Sequence, residues 1–152
     1  MGNSSVYDTI EGVLKAQGRI LLQTTGISME PLLHDRKSTV VIEQAAGELK
    51  KYDVALFSRP SGEYVLHRIV KVRERDYLIC GDNGLYKEPV LKENVLGVMT
   101  GFYPDEGEKF VSCEDEEYRG YLRTLGVRYG ARRIKAALRR IRRKFYILLR
   151  GG

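Results

Sequence analysis

Cysteine is scarce in this chain of 152 residues, with only Cys80 and Cys113. They form no C-x-x-C pair, so two reduced thiols are expected rather than a disulfide framework. Long apolar runs are missing as well. The longest, Phe145 to Leu149, falls far short of the roughly 20 residues that a membrane-crossing helix needs. The opening residues, MGNSSVYDTIEG, lack the basic and apolar regions of a secretory leader, and the Met1-Gly2 start departs from the myristoylation pattern. A cytoplasmic protein is expected, peripheral at a membrane if its tail holds it there. Proline is low at 4 and glycine high at 16, which suits a turn-rich and strand-rich body. There is no internal repeat.

Acid is absent from the end of the chain. Residues 119–152 carry 12 Lys and Arg and no Asp or Glu, so the other 118 residues hold 14 Lys and Arg against all 20 Asp and Glu, a balance of −6. The overall charge of +6 thus describes neither part. What is present is an acidic body, with 43% apolar residues in the whole chain to build a core, and a basic tail.

Ser5 reads as the cap of a short amphipathic helix, with Asp8 as its capping-box partner. Val6, Ile10, Val13 and Leu14 form its apolar face and Gly18 its end. Strand texture follows at Ile20–Thr24, Ser38–Glu43, Val54–Ser58, Tyr64–Val72, Asp76–Cys80 and Asn94–Tyr103. Arg59-Pro60-Ser61-Gly62 turns the third of these into the fourth as a hairpin. The fold class expected is mainly β, a small antiparallel body with a short N-terminal helix and basic C-terminal helices. The domain plan is a β body over 1–103, an acidic linker over 104–117 and a basic tail over 118–152. In the tail, Ile134, Leu138, Ile141, Phe145 and Leu148 make an apolar stripe among arginines, and Gly126 and Gly130 interrupt it upstream.

Three segments carry chemistry-bearing residues. Gly26-Ile27-Ser28-Met29-Glu30-Pro31 puts a serine at a strand end. Gly26 allows close backbone approach, Met29 packs inward, and the N–H groups around Ser28 and Met29 can face an oxyanion. A serine in such a turn is otherwise ordinary. In Val65-Leu66-His67-Arg68-Ile69, alternation puts His67 on the face of Val65 and Ile69. A half-buried, neutral imidazole is what a general base for serine requires, though core histidines of this kind are common. Cys80-Gly81-Asp82-Asn83-Gly84 is good turn chemistry that also offers Asp82 as an acceptor for a histidine N–H. His34 reads as a surface residue. Lys71, an even step from His67, is a lesser candidate base.

Taken in order, Gly26-x-Ser28-Met29-x-Pro31, then His67-Arg68-Ile69, then Gly81-Asp82-Asn83 resembles the signal peptidase I and LexA-like serine peptidase superfamily. Leu49–Phe57 and Asn94–Val98 resemble its segments before the base-bearing hairpin and at the closing strand. With histidine at position 67 the resemblance is to the serine–histidine, endoplasmic-reticulum-type branch, without that family's N-terminal membrane helix. It implies Ser28 as nucleophile, His67 as general base and Asp82 as orienter, with Glu88 as an alternative. Gly26, Pro31, Arg68 and Gly81 are carried as structural members of the motifs. It implies no metal or cofactor, and a peptide or precursor protein bound as an extended strand, with shallow pockets for small side chains. Gly26 stands where many signal peptidases have a hydroxyl donor, so the oxyanion hole would rest on backbone N–H groups. The alternative is a catalytically silent or self-cleaving regulatory module. For the tail, an anionic membrane surface is the first partner expected, docking on a protein surface the second and nucleic acid the last.

Overall fold

The computed structural model describes residues 9–106 and 109–150. Helix α1 (Ile10–Gln17) opens with Thr9, whose hydroxyl accepts from the Gly12 N–H, and closes at Gly18, whose N–H donates to the Leu14 carbonyl. Thr9 caps this helix where Ser5 was expected to; Ser5, Val6 and Asp8 lie outside the described residues. Eight strands follow: β1 (Arg19–Gln23), β2 (Thr39–Gln44), β3 (Val54–Ser58), β4 (Tyr64–Val72), β5 (Asp76–Cys80), β6 (Glu88–Leu91), β7 (Val95–Tyr103) and β8 (Val111–Ser112). All pair antiparallel in one sheet, in the order β1-β2-β7-β3-β4-β5-β6, with β8 on β7. The molecule is mainly β, as its strand texture implied.

Alternation along β3 shows how the core is divided. Val54 and Leu56 point into one cluster with Leu14, Met29, Leu33, Val40 and Phe102. Ala55 and Phe57 point into a second with Val65, Ile69, Tyr77 and Ile79. A strand buried on both faces needs an unbroken apolar run, and Val-Ala-Leu-Phe is one. Each fully buried aliphatic side chain here is worth about 1.5–3 kcal/mol of transfer free energy.

Two strands were not visible in the sequence. β6 contains Pro89, which has no N–H for a ladder and fits only because β6 is the edge of the sheet. β8 is two residues long and lies in the stretch expected to be linker. The C-terminal helices are in fact one, α2 (Glu116–Arg150), running through Gly126 and Gly130. Its first part belongs to the core: Tyr118 and Leu125 are buried, and the Tyr118 ring stands edge-on to Phe102 at 6.2 Å. No helix among the described residues is long and apolar enough to cross a membrane.

Candidate active site

β4 brings His67 to the wall of a cleft, and the segment after β1 brings Ser28 to the same place. Ser28 Oγ lies 3.0 Å from His67 Nε2, although the two are 39 residues apart in sequence. The cleft has a volume of about 670 Å³ and is lined by both residues, by apolar side chains including Leu22, Met29 and Leu66, and by Arg59 at its rim.

Backbone bonds explain why the serine loop is held. Gly26 takes φ 85°, and its N–H donates to Asp35 Oδ1 at 2.7 Å. Met29 is buried in the first core cluster, so the chain is anchored one residue past the serine. Glu30-Pro31 is a cis peptide, and Pro31 is exposed. The loop after β5 then clasps the serine segment: the Asn83 N–H donates to the Ser28 carbonyl at 2.8 Å and Asn83 Nδ2 to the Ile27 carbonyl at 3.2 Å. This approach requires glycine at 81, since a Cβ there would come within 2.6 Å of the Ser28 carbonyl oxygen. Among the described residues, nothing accepts from the backbone N–H of Ser28 or of Met29.

The group facing the far side of the imidazole is Glu88. Its Oε1 lies 3.6 Å from His67 Nδ1, just beyond hydrogen-bond length, and the same carboxylate accepts from Arg59 Nη2 at 2.7 Å. Burial pushes the His67 pKa below its ordinary value; Glu88 opposes that shift and the Arg59 charge adds to it. The imidazole is therefore neutral at pH 7, with its Nε2 lone pair free to accept from Ser28 when Nδ1 carries the proton.

Asp82 does not take the role of orienter. Its carboxylate is gripped by Arg68, with Nε to Oδ1 at 2.6 Å and Nη2 to Oδ2 at 2.7 Å, and both side chains are fully buried. Tyr121 and Tyr129 of α2 add their hydroxyls at 2.9 and 3.4 Å. Arg68 also donates through Nη1 to the Tyr52 carbonyl and the Tyr118 hydroxyl. A carboxylate with its lone pairs taken by these donors has none left for histidine. Burial works against the Arg68 charge, but the Asp82 carboxylate more than offsets it and holds the pKa above its usual value. The Tyr118 hydroxyl is pushed up to about 12, chiefly by burial. Removing one member of such a buried pair strands the other charge at a cost of about 3–5 kcal/mol. Arg68 and Asp82 thus fasten β4, the loop after β5 and α2 together beneath the site.

The remaining candidates fall outside the cleft. Lys71 is exposed, and the register shift between Ile69 and Lys71 breaks the alternation that placed it on the His67 face. His34 is half-buried, and its backbone N–H donates to Ser38 Oγ at 2.8 Å. Cys80 and Cys113 are free thiols pushed up by burial, Cys113 to about 11, which suits them to packing rather than attack. Arg59 went unnoticed in the sequence because it belongs to a tight turn. Tyr121 and Tyr129 went unnoticed because nothing local in the sequence shows that their hydroxyls reach a buried carboxylate. Among the described residues there is no cluster of side chains fit to hold a metal ion. No family model, no curated protein and no solved structure matches the chain.

Proposed function

We propose that the protein is a serine endopeptidase similar to signal peptidases, which cleaves a leader or precursor peptide through an acyl-enzyme on Ser28. The observation that carries this reading is the 3.0 Å approach of Ser28 Oγ to His67 Nε2 at an open cleft. In the reaction, Oγ attacks the scissile carbonyl carbon and its proton passes to Nε2. The tetrahedral oxyanion is met by the backbone N–H groups of Ser28 and Met29. The C–N bond then breaks, the leaving amine takes the proton from Nε2, and a water activated by the same nitrogen hydrolyses the ester. Glu88 stabilises the imidazolium that forms in each half. The apolar wall and the cleft volume of about 670 Å³ suit several residues of an extended peptide.

A fluorophosphonate label with peptide mapping tests this. Modification should fall on Ser28 in the wild-type chain, vanish in Ser28→Ala, and slow by about a thousandfold in His67→Ala. Label at another residue, or undiminished in Ser28→Ala, defeats the proposal. An unlabelled wild-type chain would favour a regulatory module that keeps the fold without the chemistry.

A further inference from the structure

Beyond Tyr129 and Arg132, helix α2 leaves the body, and residues 133–144 are exposed except for half-buried Ala136. A helix turns about 100° per residue, so Ile134, Leu138 and Ile141 return to within about 40° of the meridian of Val127. Leu125, which packs on the body, lies about 160° away from that meridian. The apolar stripe therefore faces outward. Its members are open to solvent, with Val127 at 76%, Ile134 at 64%, Leu138 at 56% and Ile141 at 52% exposure. Arg133, Arg140 and Lys144 line one side of the stripe, and Lys135 and Arg142 the other.

We infer that this outward face is a docking surface for an anionic lipid bilayer, on which the helix lies in the interface plane. Charge complementarity selects the occupant. Residues 119–152 hold 12 cations and no acid, so a second copy of the helix would meet its own sign. A nucleic acid would match the charge but leave the row of aliphatic side chains wet. Anionic headgroups over an acyl layer meet both needs: the stripe enters the apolar boundary, and the flanking arginines and lysines reach back to the phosphates. This inference does not depend on the peptidase reading, since α2 contributes no residue to the lining of the cleft that holds Ser28.

Vesicle flotation with the full chain tests it, using phosphatidylcholine vesicles alone and vesicles of phosphatidylcholine mixed with phosphatidylglycerol. The chain should float with the mixed vesicles only. Ile134→Ser, Leu138→Ser and Ile141→Ser together should weaken partitioning by about tenfold or more at unchanged charge. Arg133→Gln, Lys135→Gln, Arg140→Gln and Arg142→Gln together should weaken it by about a hundredfold or more. An unchanged urea midpoint in both variants would show that the body stays folded. Failure to float with mixed vesicles, alone or alongside tight retention on a nucleic-acid column, overturns the inference. So does full binding by the serine variant, which would reduce the contact to simple adhesion of charge.

Discussion

His67 stands between two opposite influences at its far ring nitrogen. Glu88 favours the charged imidazole and Arg59 disfavours it, while burial, the larger effect, keeps the ring neutral. Glu88→Gln removes the carboxylate and leaves Arg59 close by. The His67 pKa then falls further below its ordinary value, so the acid limb of a labelling-rate profile moves to lower pH. The plateau rate should also drop about tenfold, because imidazolium loses its stabiliser during attack. A lower plateau with an unmoved limb would show that Glu88 acts on the packing alone. The pairing of Ser28 with His67 was legible in the chain, since each belongs to a short motif of one ordered set. The partner of His67 was not, because Asp82 and Glu88 lie on the same stretch and differ only in which cation each meets. Asp82 turns inward to Arg68 beneath the sheet, whereas Glu88, at the edge, meets Arg59 and the imidazole.

At the scale of elements, sequence texture worked where an element has its own period and failed where a neighbour defines it. The bounds of β3, β4 and β5 coincide with those that the sequence texture predicts. β8 exists only because Gly101 and Phe102 of β7 offer a free ladder beside it, a fact that Val111-Ser112 cannot announce. Helix α2 shows the opposite error. Gly126 and Gly130 imply a break by intrinsic preference, yet Tyr118, Leu125 and Tyr129 on either side pack on one surface and carry the helix through. An added Cβ at either glycine would meet nothing within 4 Å. Gly126→Ala and Gly130→Ala should therefore each stabilise the protein by about 0.5–1 kcal/mol, read as a higher urea midpoint at unchanged slope. A loss of stability in either variant would mean that the helix bends there after all.

At the scale of the whole molecule, the charge asymmetry maps onto two mechanical parts, but the boundary is not the one that composition suggests. The sign of the charge changes near residue 118, whereas the packing ends near residue 132, because the first turns of α2 carry Tyr118, Tyr121, Leu125 and Tyr129 into the body. Composition reports only where acids stop; packing is set by which residues reach the Arg68–Asp82 pair. The two boundaries predict different outcomes for shortened chains. A chain of residues 1–132 loses 8 Lys and Arg and no acid, taking the net charge from +6 to −2. It should bind an anion exchanger at pH 7 where the full chain binds a cation exchanger. It should also unfold within about 0.5 kcal/mol of the full chain, since residues 133–144 are exposed apart from half-buried Ala136, and show the same Ser28 labelling as the full chain. A chain ending at residue 117 strips the tyrosine hydroxyls from a buried ion pair and opens a hole at Leu125, costs of several kcal/mol against a total stability of about 5–15. That shorter chain should fail to fold. Equal stability of the two shortened chains would place the boundary at residue 118 and make the brace beneath the candidate site dispensable.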